Sequence, residues 1–178
     1  NQAYISKSVP YLYYGAENSD FMGIDTNFNL QGTTVYKIRD KNTSPNRVTY
    51  NVDKDGKPIG QPIDSSSYDP KARPWYQAAV KAGKSTWSPI YLFSAKKELG
   101  ISAVSPVYDK SGKLQGVFGI DLTLVELTNF LRDLKPSPNG KVFIIERDGS
   151  VVAISSNEDP YTVQANAATG KSEQIRLI

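Results

Sequence analysis

Apolar positions along this chain recur in two periods, and Asp-Gly or Pro marks most of the breaks between them. Phe21 to Asp25 and Thr33 to Ile38 read as strands joined by a turn at Asn27-Phe28-Asn29, and Arg47 to Val52 reads as a third. Asp53-Lys54-Asp55-Gly56 supplies turn chemistry next, with Asp side chains that cap the backbone and a Gly suited to positive φ. Asp109-Lys110-Ser111-Gly112 separates the apolar runs Ile101 to Tyr108 and Leu114 to Leu122. Arg147-Asp148-Gly149-Ser150 does the same for Val142 to Glu146 and Val151 to Ile154. Asp-Gly between such runs is a hairpin signal, so two hairpins flank one helix, as in two related modules in tandem. That helix opens on the capping box Thr123-x-x-Glu126, carries Leu124, Leu127, Phe130, Leu131 and Leu134 at helical spacing, and ends at Pro136.

The period is least clear at the start. Tyr4, Ile5, Val9, Leu12 and Tyr13 stand at mixed spacing with Pro10 among them, and Asn1 to Gly15 reads as the tail of a helix packed on the first module. The modules then run as 1–20, the helix end and a connector; 21–134, the first module; and 135–178, the start of a second, incomplete one. Pro136-Ser137-Pro138-Asn139-Gly140 marks the boundary. The class is α+β, an antiparallel sheet with flanking helices.

Candidate chemistry gathers at Tyr68-Asp69-Pro70-Lys71-Ala72-Arg73-Pro74-Trp75-Tyr76. Pro74 belongs in a first helical turn, so Trp75 to Ala82 is predicted helical with Gly83 as its stop. Arg73 there offers a planar fork for an anion beside aromatic faces. The plainer alternative pairs Arg73 with Asp69 on the surface and sends Trp75 and Tyr76 to the core. Asp121 tilts the balance, since a carboxylate inside the apolar run Gly116 to Leu122 needs a partner.

Composition narrows the function. At 178 residues and 39% hydrophobic, the chain can build one domain or one and part of another, and its net charge of +3 is scattered rather than gathered into a nucleic-acid-binding stripe. With no Cys and no His, thiol nucleophiles, His-based acid–base chemistry and the usual zinc sites are excluded. Ser102, Ser105 and Lys96-Lys97 lack a G-x-S-x-G or S-x-x-K setting, which argues against a hydrolase. Asp53 to Gly56 lacks the remaining ligand positions of a calcium loop. No stretch is long and apolar enough to cross a membrane, and the chain reads as a piece of a longer protein.

The block from Tyr68 to Leu134, with Trp87-Ser88-Pro89-Ile90-Tyr91, Val104-Ser105-Pro106-Val107-Tyr108 and Gly116 to Leu122, resembles the double Cache sensor domains of bacterial transmembrane receptors. The resemblance implies a membrane-distal PAS-like module that binds a ligand and a membrane-proximal one, in an extracytoplasmic (periplasmic or extracellular) part of a membrane-anchored, homodimeric protein. The chain is similar to the amino-acid-binding subset at Tyr68, Arg73, Trp75, Tyr76, Tyr91 and Asp121. That likeness implies that Tyr68, Arg73 and Trp75 donate to a ligand carboxylate while Tyr76, Tyr91 and Asp121 hold its ammonium. No cofactor, metal or catalytic residue is implied. Trp75, Trp87 and Phe118 are the aromatics most easily assigned to the core, and Tyr50 to Ile63 with Lys96-Lys97-Glu98 could line the pocket. The alternatives are a Cache sensor for another small ligand and a ligandless transmission module. Arg73 opposes a bare amine, and Asp121 opposes a simple dicarboxylate.

Overall fold

The structure, a computed structural model, describes residues 11–28, 32–94, 98–134, 137, 139–146, 149 and 151–156, together with the backbone of 161–165 and 172–176. The chain divides into two compact units, 1–122 and 123–178.

The first unit is built on one antiparallel sheet. Its strands are β1 (Tyr11–Ala16), β2 (Phe21–Asp25), β3 (Val35–Arg39), β4 (Asn46–Val52), β5 (Pro58–Ser67), β6 (Thr86–Trp87), β7 (Tyr91–Leu92), β8 (Leu99–Tyr108) and β9 (Leu114–Thr123). Their order is β5-β4-β3-β2-β1-β9-β8-β6, with β7 also paired to β8. The first strand therefore lies in the middle of the sheet, between β2 and β9. Tyr11–Ala16 is extended where the sequence predicts a helix tail; residues 1–10 of that segment lie outside the described residues. The reason is parity: Tyr11, Tyr13 and Gly15 share one face, and that face lies over the core.

The hairpin between β8 and β9 forms at the expected turn, with Gly112 at φ 81° and Asp109 Oδ1 accepting the backbone N–H groups of Ser111 and Lys113. Asp53 is likewise a turn residue, its Oδ1 accepting from the N–H groups of Asp55 and Lys57 at 2.9 Å each. Strand β5 has no counterpart in the sequence reading. It is exposed along its whole length and holds Pro58 and Pro62, so no apolar alternation announces it, and proline is tolerated because it lies at a sheet edge.

Helix α1 (Pro74–Ala82) covers the sheet beside β8 and ends at Gly83 in the left-handed region, φ 64°. Trp75, Tyr76 and Ala79 pack with Tyr13, Phe21, Tyr68, Val104 and Val117 to form the core. Trp75 belongs to the core as expected, but Trp87 and Phe118 do not: they are 55% and 48% exposed. Phe118 lies on the opposite face of β9 from buried Val117 and Gly119 and packs on Tyr14, while Trp87 stands on the short edge strand β6.

The second unit holds α2 (Leu124–Leu134), the hairpin β10 (Phe143–Ile145) with β11 (Val151–Ile154), and the paired strands β12 (Tyr161–Ala165) and β13 (Ser172–Arg176). The capping box closes in both directions: Thr123 N–H donates to Glu126 Oε2 at 2.8 Å and Glu126 N–H to Thr123 Oγ1 at 3.1 Å. α2 packs against β11 within this unit, whereas the sequence places the boundary after the helix, at Pro136. Leu124, Thr128 and Leu131 are buried in α2, while Phe130 and Leu134 of the predicted stripe are exposed.

Candidate ligand-binding site

The inward face of the sheet carries a set of charges and phenols that an ordinary core does not hold. Asp121 lies on it because it shares parity with Val117 and Gly119 on β9, and it is buried. Across the sheet, β1 pairs with β9 so that Tyr13 stands opposite Gly119. A Cβ at position 119 would lie 2.3 Å from the Tyr13 ring, so glycine there lets the phenol lie flat across β9 and reach the carboxylate. Tyr13 Oη donates to Asp121 Oδ1 at 2.5 Å, and Ser102 Oγ donates to the same oxygen at 2.6 Å. Tyr91 Oη is 2.8 Å from Ser102 Oγ, which extends the chain of hydroxyls.

No cation pairs with Asp121 among the described residues, whose ion pairs are Lys37–Asp25 and Lys71–Glu17. Burial pushes the Asp121 carboxyl up to about 6, against the hydrogen bonds from Ser102 and Tyr13 that favour its charge. The surrounding phenols Tyr13, Tyr68 and Tyr91 are pushed above their ordinary range, chiefly by burial, so they stay protonated and act as donors.

The Tyr68 to Tyr76 segment supplies the opposite wall. Asp69 caps a 3-10 turn, Pro70–Ala72, by accepting from Lys71 N–H at 3.0 Å. Arg73 follows as the residue before α1, and its side chain does not cap the helix. Instead it reaches the Leu92 carbonyl from Nη2 at 3.0 Å, with its guanidinium 5.6 Å from the centre of the Tyr91 ring. The surface pair of Arg73 with Asp69 is not formed. Trp75 lies over Gly15, where a Cβ would come 2.8 Å from the indole, and its Nε1–H donates to Tyr68 Oη at 3.2 Å.

The structure thus brings Tyr68, Arg73, Trp75, Tyr91 and Asp121 to one region of one face. The charges of Arg73 and Asp121 both act on the Tyr68 hydroxyl, and that of Asp121 acts on Tyr91. Tyr76 is turned elsewhere: its ring packs on Trp75, but its hydroxyl donates to Glu17 Oε2 at 2.9 Å. Of the segments expected to line a pocket, Lys96-Lys97 lies outside the described residues.

Tyr13 and Ser102 are site residues that no local motif marks; the period-two parity of β1 and β8 is the signal that places them.

The sequence matches the Cache domain family over residues 12–175. The chain belongs to that family. Among curated relatives of this Cache domain, the methyl-accepting chemotaxis protein PctB of Pseudomonas aeruginosa is 33% identical over 106 residues, which is 58% of this chain and 17% of PctB. McpB of Bacillus subtilis, another methyl-accepting chemotaxis protein, is 31% identical over 87 residues, 48% of this chain and 12% of McpB. The chain therefore spans under a fifth of the length of these relatives.

Among solved structures, the PctB ligand-binding domain in complex with L-Arg superposes with a TM-score of 0.53 at 23% identity, covering 85% of this chain and 46% of that one. The Pseudomonas fluorescens chemoreceptor CtaA domain with L-valine gives a TM-score of 0.51 at 21% identity, covering 82% and 49%. These likenesses show the fold, the antiparallel sheet and helices of a PAS-like Cache module.

Proposed function

We propose that this Cache domain is the ligand-capturing part of the extracytoplasmic sensor of a membrane-anchored, homodimeric signalling receptor, and that it holds a free L-amino acid without chemistry. Asp121 carries the reading. A carboxylate buried with no paired cation among the described residues, yet ringed by hydroxyl donors, fits a ligand ammonium as the missing charge. Arg73, with Tyr68 and Trp75, offers guanidinium, hydroxyl and indole donors to the ligand carboxylate, and Tyr91 stands beside Asp121 at the ammonium end. Tyr76, with its hydroxyl on Glu17, contributes ring surface and holds Trp75. The free amino acids held by the PctB and CtaA domains support the same ligand class.

A ligandless transmission module is the second reading. It draws on the fact that Trp75 Nε1 and Arg73 Nη2 already have protein acceptors. A thermal-shift screen against the twenty amino acids separates the two. Ligand at 100 times its Kd adds about 2.7 kcal/mol, roughly 5–10 °C for a domain of this size. Arg73→Lys keeps the charge but loses the planar fork, so affinity should fall at least about tenfold while stability changes little. If none of the twenty shifts the melting temperature of protein freed of carried-over ligand, the ligandless reading replaces this one.

A further inference from the structure

Beyond Tyr68, the same face of the sheet holds a second set of polar groups that the amino-acid backbone would not use. Arg47 on β4 is 3% exposed, yet among the described residues its one side-chain hydrogen bond is a long contact from Nη2 to Ser94 Oγ at 3.4 Å. Its guanidinium lies 4.0 Å from the centre of the Tyr68 ring and 5.7 Å from that of Phe21. Stacking of this kind satisfies the face of a guanidinium, whereas its N–H donors point out of the edge and still need acceptors. Nε is buried without a partner, and so are Tyr11 Oη and Thr49 Oγ1. By contrast, Lys37 on the neighbouring strand is closed by Asp25 at 2.9 Å.

We propose that Arg47, with Tyr11 as a second donor, is an anion-binding end of the same site and that the ligand is an amino acid whose side chain carries a carboxylate. The proposal rests on the amino-acid reading above and adds the side chain to it. Charge supports it. Arg47, Arg73 and Asp121 all act on the Tyr68 hydroxyl, two cations and one carboxylate, and a ligand with one ammonium and two carboxylates is their complement. Tyr11 points the same way: its ring crosses β2 at Gly23, where a Cβ would lie 2.9 Å from Cε2, and the Arg47 charge acts on its hydroxyl. Among the described residues no carboxylate pairs with the buried Arg47 guanidinium; that is costly to the ligand-free fold, and an anionic ligand removes the cost.

Calorimetry on the 178-residue chain with L-aspartate, L-glutamate, L-asparagine and L-glutamine tests this. One of the acids should bind at least about thirtyfold more tightly than its own amide, the lower range for neutralising one member of a buried charge pair. Arg47→Met, which keeps an apolar stem against Tyr68, should bring that ratio near unity. An amide that binds the wild type as tightly as its acid overturns the proposal, and so does a preference that survives Arg47→Met. The wild-type comparison decides even if Arg47→Met does not fold. If neutral amino acids bind and depend on Arg73 but acids have no advantage, this inference falls while the amino-acid reading stands. If none of the four binds, this inference falls, and the thermal-shift screen of all twenty decides the amino-acid reading.

Discussion

Replacing Asp121 by Asn should make the ligand-free protein more stable at neutral pH while it destroys ligand binding. The carboxyl is held at about 6 rather than its ordinary 3.8 because burial penalises the charge. A folded-state value above the unfolded one means that the folded state binds more protons between about pH 4 and 6. Stability contributed by the protonated form is therefore present at low pH and lost as pH rises through about 6. Each pH unit between the two values is worth about 1.4 kcal/mol, so the ionised carboxylate costs the ligand-free fold about 3 kcal/mol at pH 8. Asn keeps an acceptor for Tyr13 and Ser102 and carries no charge. Its denaturation free energy should match or exceed that of the wild type at pH 8 and lack the decline between pH 4 and 6.

Binding should run the other way. An ammonium ligand needs Asp121 ionised, so wild-type affinity should be flat above about pH 7, about halved at pH 6 and about tenfold weaker at pH 5. Asp121→Asn should lose about 2–5 kcal/mol of binding and the pH dependence with it. Glu17, Asp40 and Asp109 are held below their ordinary values, through hydrogen bonds from Lys71, from the Asn42 backbone and from Ser111 respectively. Their contributions have the opposite sign, fall away at lower pH, and are common to both proteins, so the difference between wild type and variant isolates Asp121. Chemical denaturation from pH 4 to 8 and calorimetry from pH 5 to 8 supply both curves. A variant that is less stable than wild type at pH 8 yet still binds would make Asp121 a structural hub and refute the reasoning.

Two further outcomes follow from packing and capping. Gly119→Ala places a methyl 2.3 Å from the Tyr13 ring and should destabilise the first unit by about 1–3 kcal/mol, with weaker ligand binding because Tyr13 leaves Asp121; unchanged denaturation would show that the ring moves freely. Thr123→Ala removes one half of the reciprocal cap and should cost about 0.5–2 kcal/mol, read as faster amide exchange in α2, and unchanged exchange there would contradict the cap's role.

What the sequence disclosed depended on how local the cause was. Pro74 and Gly83 bracket α1, Thr123 and Glu126 cap α2, and Asp109 to Gly112 turns the hairpin, because each of these acts over a few residues. β5 escaped because an exposed edge strand with two prolines needs no apolar face. β1 escaped because five aromatic and aliphatic side chains crowd a short segment whose parity becomes informative only once its neighbours are known.

The same limit governs the site. Tyr68, Arg73 and Trp75 are close in sequence and legible as a group, whereas Tyr13 and Asp121 are 108 positions apart and meet only through strand register. That register suits the packing: Tyr13 crosses β9 at Gly119, and Trp75 lies on β1 at Gly15. A slip of one residue between β1 and β9 would put Asp121 on the opposite face from Tyr13 and set the Tyr13 ring against Phe118 or Ile120. The glycines that make room for the aromatic rings thus also select the one pairing in which Asp121 acquires its hydroxyl donors. The same packing that holds the core together leaves the carboxylate buried and, among the described residues, without a paired cation, which is why no local motif around residue 121 could have revealed its partners.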